Sequence, residues 1–259
     1  MLLYSRSVNK YFKEFYMLEI NHVSMAYANG TVKAVDDLSF SLKEGEIFGF
    51  LGANGAGKTT TIKMVTGILP VKSGNIKICG YDITSDPIAA KRNFGFVPDD
   101  PIIFDKYTGR EYIDFLGDIY GVSKEDRSRV SSDLLKRFSL EDAFDKRISG
   151  YSHGMKQKIA IIGALIHSPS LWILDEPMMG LDPPSAFALK ELMKEHKAQG
   201  KTVFFSTHVL DVAEKICDRV AIISKGKLVL CGDMDEIKRA QGDDSLEEIF
   251  MSVAGNGNE

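Results

Sequence analysis

Hydrophobic and polar positions divide the chain into two parts that contain strands and a helical part between them. Between residues 17 and 52, apolar side chains tend to occupy every second position, as in half-buried strands, and a one-residue shift after Ile20 predicts a β-bulge. Residues 100–166 instead show helical spacing with few strand signals. From Leu171 onwards, short apolar runs alternate with helical periods. The pattern therefore predicts an α/β fold class with an inserted helical segment.

Start and stop signals place three helices in this helical segment. Thr108 is the predicted N-cap of a helix that ends at Gly121, Ser123 and Asp126 resemble a capping box, and Ser152 starts the third helix. A separate core built from about 65 residues would be small, so we interpret this part as an insertion into the α/β domain.

The two ends of the chain differ from the middle. Residues 1–16 are rich in aromatic side chains and lack the features of a signal peptide, so we interpret them as an N-terminal extension, either translated from an upstream start codon or folded as an amphipathic helix. The domain is then predicted to cover residues 17–259, with a hairpin and two short helices over residues 218–259. Asn29–Gly30 predicts a turn.

Composition and charge exclude several classes of protein. The 259 residues are 44% apolar and 26% charged, which is typical of a globular domain. The net charge of −4 argues against broad electrostatic binding to nucleic acid. Three cysteines without a C-x-x-C pair predict reduced thiols and no zinc site. No apolar run approaches the roughly 18–20 residues that span a bilayer, so we expect that the chain does not cross a membrane itself.

A glycine-rich segment gives the clearest chemical signal. It matches G-x-x-x-x-G-K-[ST], follows an apolar strand at residues 46–51 and precedes a helix predicted over residues 60–69. Glycines let successive backbone N–H groups turn towards an anion, and the helix start adds further donors. Lys58 would contact the β- and γ-phosphates, and the Thr59 hydroxyl would bind Mg²⁺. A glycine-rich turn without a ligand is the alternative. The predicted nucleotide-binding residues are Gly52, Asn54, Gly55, Ala56, Gly57, Lys58, Thr59 and Thr60.

Polar side chains at two other strand ends complete a hydrolysis site. Asp175 and Glu176 follow the apolar run 171–174. An aspartate at such a strand end holds Mg²⁺ in P-loop proteins, and Glu176 could polarise the attacking water. His208 ends another apolar strand at the carboxyl edge of the sheet, where nucleotides bind in such folds, so it could reach a γ-phosphate. Taken alone, Asp175 and Glu176 equally fit a buried strand with an acidic end.

The order and spacing of these motifs resemble those of the ATP-binding subunits of ABC transporters over about residues 17–250. Tyr27 stands where these proteins stack a ring on adenine, residues 151–155 stand in the place of the signature L-S-G-G-Q, and Asp182 belongs to a segment similar to the D-loop. A GTPase would need an N-K-x-D motif, which the sequence lacks. The resemblance implies a P-loop NTPase with a RecA-like parallel sheet, an N-terminal antiparallel β subdomain and a helical signature subdomain at about residues 100–166.

The same resemblance implies a mechanism shared between two copies of such a subunit. Each ATP, with Mg²⁺, would lie between the P-loop of one copy and the signature of the other, where Ser152 and Gly154 would face the γ-phosphate. The second copy would be this chain again or a homologous subunit. Lys58, Glu176 and His208 would carry the catalysis.

Two positions depart from the family pattern. His153 replaces the first signature glycine, and Met155 replaces the glutamine. Asp99 stands where most members have a glutamine, and because a carboxylate can ligate Mg²⁺, it joins Thr59 and Asp175 as a candidate metal ligand. These departures look most like the bacterial ABC-2 type export branch.

Membership of that branch implies a motor subunit for a separate membrane permease, held peripherally on the cytoplasmic side of the membrane and driving export. An alternative is a soluble ABC ATPase that acts on ribosomes or DNA, but the acidic balance and the short insertion disfavour it, and no nucleic acid is expected. Six apolar residues could receive the permease, although most of them fit the core of the insertion better; they are Ile102, Ile103, Phe104, Tyr107, Tyr112 and Phe115.

Overall fold

The parts of the chain that the computed structural model describes are residues 15–27, 33–101, 104–240 and 245–255. The predicted turn at Asn29–Gly30, nearly all of the N-terminal extension, and the candidate docking residues Ile102 and Ile103 lie outside them.

The strands form two sheets. Within the described residues they are β1 (Tyr16–Ala26), β2 (Lys33–Lys43), β3 (Ile47–Leu51), β4 (Ser73–Ile78), β5 (Tyr81–Asp82), β6 (Phe94–Val97), β7 (Leu171–Leu174), β8 (Thr202–Thr207), β9 (Arg219–Ser224) and β10 (Lys227–Asp233). An antiparallel sheet has the order β2-β1-β4-β5, and a six-stranded sheet has the order β10-β9-β3-β8-β7-β6. In the latter, all neighbours are parallel except β9 and β10. The predicted bulge is present, because the register of β1 shifts between Ile20 and Val23.

The helices lie between and beside these strands. They are α1 (Lys58–Val65), α2 (Pro87–Arg92), α3 (Gly109–Tyr120), α4 (Lys124–Arg137), α5 (His153–Leu165), α6 (Pro183–Ala198), α7 (Leu210–Ile216), α8 (Met234–Ala240) and α9 (Leu246–Gly255). None of these helices is both long enough and apolar enough to span a bilayer.

The helix after the glycine-rich segment begins and ends earlier than predicted. It covers Lys58–Val65, so the predicted range 60–69 was wrong. Gly67 has a φ of 69°, and the backbone N–H of Ile68 donates to the carbonyl oxygen of Lys63 at 2.8 Å. A left-handed glycine with this hydrogen bond ends a helix in the Schellman motif, so glycine stops α1 before the following proline is reached.

Two of the predicted helix caps show that side-chain length decides whether a capping box is complete. The Thr108 hydroxyl accepts from the N–H of Glu111 at 3.1 Å, and the Glu111 carboxylate accepts from the N–H of Thr108 at 2.8 Å, so α3 begins with a full capping box. Ser123 caps α4 in the same way, but the Asp126 carboxylate accepts from the Ser123 hydroxyl and not from its N–H. The aspartate, which is one methylene shorter than glutamate, forms only half of the predicted box.

The six-stranded sheet separates two hydrophobic cores. Along β3, Ile47 and Leu51 belong to the core shared with α3 to α7, while Phe48 and Phe50 belong to the core shared with the antiparallel sheet and α1. In the second core the ring of Phe40, from β2, stacks 5.5 Å from the ring of Phe48. Both faces of β3, β7 and β8 are therefore buried, which explains their nearly continuous apolar sequences, and their carboxyl ends meet at one edge of the sheet.

Candidate active site

The glycine-rich segment joins the carboxyl end of β3 to the start of α1. Gly57, the N-cap of α1, has a φ of 113°, and a Cβ there would lie 2.4 Å from the carbonyl oxygen of Ala34. Lys58 is 5% exposed, and its Nζ donates to the carbonyl oxygen of Gly52 at 2.8 Å. The segment therefore folds the lysine back over the loop and brings it to the start of the helix, where unpaired N–H groups favour an anion.

Asp175 lies at the end of β7, directly beside the start of α1. It is 1% exposed, and burial raises the pKa of its carboxyl group, with the nearby charges of Asp99 and Glu176 acting in the same direction. Hydrogen bonds from the hydroxyl groups of Ser206 and Thr59 oppose this rise in pKa. A buried carboxylate whose orientation is held by Ser206, with the Thr59 hydroxyl nearby, is suited to share a cation with Thr59.

Glu176 occupies the centre of the site. One carboxylate oxygen lies 3.1 Å from Nζ of Lys58, and the other lies 2.9 Å from Nδ1 of His208. The backbone of Glu176 has a φ of 45°, in the left-handed region that a residue with a side chain rarely adopts. The structure thus brings the three predicted catalytic residues together, with Lys58 and His208 on either side of the Glu176 carboxylate.

These residues border an open cavity of about 680 Å³. This volume lies within the range of small-ligand and cofactor sites. A larger cleft of about 840 Å³, between α4 and α6, contains none of the predicted site residues. The predicted residues that line the smaller cavity are Tyr27, Asn54, Gly55, Gly57, Lys58, Thr59, Thr60, Asp99, Glu176 and His208. The predicted residues that do not line it are Gly52, Ala56, Ser152, Gly154, Asp175 and Asp182.

Tyr27 stands at the mouth of this cavity. Its ring is about half exposed, and its hydroxyl lies 3.1 Å from Oγ1 of Thr60 on α1. This hydrogen bond ties the end of β1 to the phosphate loop, and the exposed ring remains available for stacking.

The predicted signature residues have different environments. Ser152 is exposed and caps α5, accepting from the N–H of Met155 at 3.3 Å. A Cβ on Gly154 would lie 2.7 Å from the carbonyl oxygen of Gly180, and a Cβ on Gly180 would lie 2.5 Å from the ring of His153. The start of α5 therefore packs closely on the loop that follows Glu176, and of the signature residues only His153 reaches the cavity of its own chain.

Asp182 has a structural task in the described chain. Its carboxylate caps α6, accepting from the N–H of Ser185 at 2.9 Å, and it accepts from Nζ of Lys158 on α5 at 2.8 Å. The hydrogen bond from Lys158, followed by those from Ser185, lowers the pKa of Asp182. The residue thereby connects the signature helix to α6.

The donor set is consistent with Mg²⁺ held together with a nucleotide. Among the residues that the structure describes, no three histidine, cysteine, aspartate or glutamate side chains are arranged to hold a metal ion unaided. The Thr59 hydroxyl nevertheless lies close enough to Asp175 to lower its pKa, and Thr59 and Asp99 both line the cavity. Protein Mg²⁺ sites typically combine one or two carboxylates with phosphate oxygens, so the residues present fit this ion.

Sequence reasoning missed Ser206. This residue lies within β8, is fully buried, and contacts both Asp175 and the backbone of Glu176. The sequence did contain a signal for this role. The hydroxyl group of Ser206 follows the apolar run Val203–Phe205, two residues before His208, and a buried polar group requires hydrogen-bond partners.

Comparisons with known proteins give one answer. The family model described as ABC transporter matches residues 35–179. The linearmycin resistance ATP-binding protein LnrL of Bacillus subtilis is 36% identical over 236 residues, covering 91% of this chain and 75% of that protein. The ABC transporter ATP-binding protein NatA of the same organism is 35% identical over 227 residues, covering 87% and 92%. A structure described as the ATP-binding subunit of an ABC transporter matches with a TM-score of 0.86 at 35% identity, covering 92% of this chain and 99% of that one.

These similarities confirm the predicted family and the predicted P-loop NTPase fold, with its antiparallel β part and its parallel sheet. The chain therefore belongs to the ABC transporter family, as an ATP-binding subunit with ATPase activity.

Proposed function

We propose that the chain hydrolyses ATP–Mg²⁺ in the cavity between α1 and the ends of β7 and β8, and that this drives a separate membrane permease. The observation that carries the proposal is the contact of Glu176 with both Lys58 and His208 in one cavity. Thr59, Asp175 and Asp99 would hold Mg²⁺, which supplies positive charge to the phosphate oxygens when it is bound.

Each residue at the centre of the site has a defined task in this mechanism. Glu176 accepts a proton from the attacking water, and His208 fixes the direction of its carboxylate through the 2.9 Å hydrogen bond. Lys58 neutralises charge that accumulates on the phosphates, and Tyr27 stacks on the adenine. The remaining residues of the loop, Gly52 to Thr60, donate backbone N–H groups to the phosphates.

A second copy of the chain, or a homologous subunit, completes this site. Support comes from the position of Ser152, which is exposed, lies at the start of α5 and does not line the cavity of its own chain. The start of a helix binds anions, so this surface suits the γ-phosphate held by another copy. The D-loop with Asp182 adjoins the signature through the ion pair of Asp182 with Lys158.

The permease would dock on the helical part, residues 100–166, which we propose as a subdomain of the domain 17–259. Phe104 is 55% exposed, and its ring meets that of Phe115 edge-on at 5.5 Å and that of Tyr107 at 5.3 Å. Asp99 and Asp100 line the nucleotide cavity a few residues before this aromatic group. A short stretch of chain therefore leads from the cavity to an exposed apolar surface. Tyr112 is instead partly buried and packs against the hydrophobic core, and this burial raises its pKa to about 12.

We propose export, in the manner of the ABC-2 type branch, as the direction of transport, with support from the name of one relative. LnrL is named for resistance to linearmycin, and resistance is a role that transport out of the cell can provide. The subunit would then lie on the cytoplasmic side of the membrane, attached through the permease, and act without nucleic acid. The alternative, an ABC ATPase acting on ribosomes or DNA, needs no apolar docking surface.

Co-expression with a membrane protein from the adjacent reading frame, where that frame encodes six apolar spans, tests the proposal. We expect co-purification and a changed ATPase rate, and we expect Phe104→Asp to abolish both while its rate in isolation stays within about twofold, since exposed substitutions usually cost little. Ile119→Asp is the matched control, because Ile119 is 58% exposed on α3 and lies outside the aromatic group. If neither the wild type nor the control binds the membrane protein, the alternative function is favoured.

A further inference from the structure

The hydroxyl group of Ser206 bridges two residues of the site. Ser206 lies near the carboxyl end of β8, and its side chain is fully buried. Its Oγ donates to Oδ1 of Asp175 at 2.5 Å and accepts from the backbone N–H of Glu176 at 3.0 Å. One atom on β8 therefore holds a carboxylate and a neighbouring backbone group on the segment that follows β7.

The backbone of Glu176 needs such support. Its φ of 45° lies in the left-handed region, which a residue with a side chain occupies only when the surroundings hold it there. Loss of the acceptor for its buried N–H would leave an unpaired donor, which a buried site tolerates poorly. The direction of the Glu176 side chain, between Lys58 and His208, depends on this backbone conformation.

The carboxylate of Asp175 is constrained by the same atom. Hydrogen bonds to charged groups are short and strong, and this one joins two groups that are both almost completely buried. The rotation of the carboxylate about its Cβ–Cγ bond is thereby fixed with respect to β8. The Thr59 hydroxyl at the start of α1 lies close enough to this carboxylate to lower its pKa, so the carboxylate that Ser206 fixes faces the start of α1.

We propose that Ser206 is a positioning residue for ATP hydrolysis, which sets the orientation of the Asp175 carboxylate and the strained backbone of Glu176 together. This inference rests on the proposed roles of Asp175 as a metal ligand and of Glu176 as the base. Ser206 touches neither nucleotide nor metal in this assignment. It acts through its two neighbours, so its removal affects the chemical step and the use of Mg²⁺ more than the binding of ATP.

The opposite end of β8 provides a matched control. Thr202 is fully buried, and its hydroxyl donates to the carbonyl oxygen of Lys43 at 2.8 Å and accepts from the N–H of Gly45 at 3.1 Å. Like the hydroxyl of Ser206, this hydroxyl donates one bond and accepts one from a backbone N–H, on the same strand but away from the cavity, although its acceptor is a neutral carbonyl group. Removing it tests the stability effect of a buried hydroxyl on β8 without touching the site.

The test compares Ser206→Ala with Thr202→Ala by steady-state ATPase assays over a range of ATP and Mg²⁺ concentrations. For Ser206→Ala we expect kcat to fall about tenfold or more, the half-saturating Mg²⁺ concentration to rise, and KM for ATP to change less than about threefold, as expected when an interaction mainly of the transition state is lost. For Thr202→Ala we expect unchanged kinetics per folded molecule. Ser206→Thr keeps the hydroxyl and should recover most of kcat.

If Ser206→Ala does not fold, Ser206→Cys keeps a similar volume with a weak hydrogen-bonding group and should show the same kinetic defects. Glu176→Gln and Asp175→Asn are measured in parallel. If Glu176→Gln keeps the wild-type rate, the proposed function fails. If Glu176→Gln is inactive while Ser206→Ala and Thr202→Ala behave alike, only the role of Ser206 is overturned.

Discussion

The two halves of the proposed ATP site are built in different ways. At the edge of the sheet, Lys58, Asp175 and Glu176 are between 1% and 9% exposed, and each is held by contacts within the chain. At the start of α5, Ser152 and His153 are exposed, although the backbone beneath them packs closely on Gly180. We call these the sheet-edge half and the signature half.

The difference indicates which half is complete in a single copy of the chain. Buried charges are stable only when neighbouring groups pair with them, and the charged groups of the sheet-edge half find their partners within one chain. This half is therefore already organised in a single copy. In the signature half only the scaffold is fixed, and the hydroxyl group of Ser152 and the start of α5 face outwards. Substitutions in the sheet-edge half should therefore act on single chains, whereas substitutions in the signature half should act mainly when two copies meet.

The largest effect is expected from Gly57→Ala in the sheet-edge half. The left-handed φ of 113° and the 2.4 Å approach of the added Cβ to the carbonyl oxygen of Ala34 both oppose this substitution. Backbone strain and overpacking each cost about 1–3 kcal/mol, so we expect the free energy of unfolding to fall by about 3–5 kcal/mol and ATP binding to be lost.

Gly55→Ala is the control for Gly57→Ala. Gly55 has a φ of 79°, but its added Cβ would meet no atom within 4 Å. Only the left-handed strain of about 1–2 kcal/mol remains, so both stability and ATP binding should fall less than in Gly57→Ala. Urea denaturation and calorimetric titration with ATP measure both quantities. Equal losses in the two variants would show that the contact with Ala34 does not shape the loop.

Much of the sheet-edge half was predictable because its chemistry is local in sequence. The glycine-rich segment carries its lysine and its hydroxyl groups within one short stretch, and Asp175, Glu176 and His208 directly follow apolar strands. Parallel strands bring their carboxyl ends together, so the order of the elements was enough to place these residues at one edge. The contact of Glu176 with Lys58 follows from this meeting of strand ends at one edge of the sheet.

Other features depend on distant parts of the chain and left no such signal. The acceptor role of Ser206 needs the pairing of β7 with β8, which joins residues about thirty positions apart in sequence. The need for glycine at position 154 arises from the carbonyl oxygen of Gly180, and no local rule reveals that approach. Asp182 was predicted to bind nucleotide, while the structure shows it occupied with the cap of α6 and with Lys158.

An intermediate effect is expected from Gly154→Ala, which disturbs the scaffold of the signature half. Alanine favours a helix over glycine by about 0.5–1 kcal/mol, but the added Cβ would lie 2.7 Å from the carbonyl oxygen of Gly180, at an overpacking cost of about 1–3 kcal/mol. The loop after Glu176 must then move. We expect a net loss of stability of about 1 kcal/mol and a fall in kcat with unchanged ATP binding by single chains.

Gly150→Ala isolates this contact. Gly150 lies four positions earlier in the chain, and its added Cβ would meet nothing within 4 Å. Its ATPase rate should match that of the wild type in the same steady-state assay. A rate lowered as much as that of Gly154→Ala would contradict the importance of the approach to Gly180 and would point to general sensitivity of the segment before α5.

A loss of stability no larger than that of Gly154→Ala, but the sharpest test of the two halves, is expected from Ser152→Ala. Loss of the N-cap bond to Met155 should lower the free energy of unfolding by about 1 kcal/mol. The control is Ser123→Ala, which removes an equivalent exposed cap from α4. The Ser123 hydroxyl accepts from the N–H of Asp126 at 3.1 Å, and its loss should lower the free energy of unfolding by about the same amount.

In a Glu176→Gln background, where ATP is retained, light scattering then measures dimer formation. Ser152→Ala should weaken the ATP-driven dimer about tenfold, because about 0.7 kcal/mol of contact with nucleotide is lost at each of its two sites, about 1.4 kcal/mol in total, while Ser123→Ala should leave it intact. If both variants dimerise as well as their parent, the exposed hydroxyl of Ser152 takes no part in the site of a second copy, and the signature half is a scaffold only.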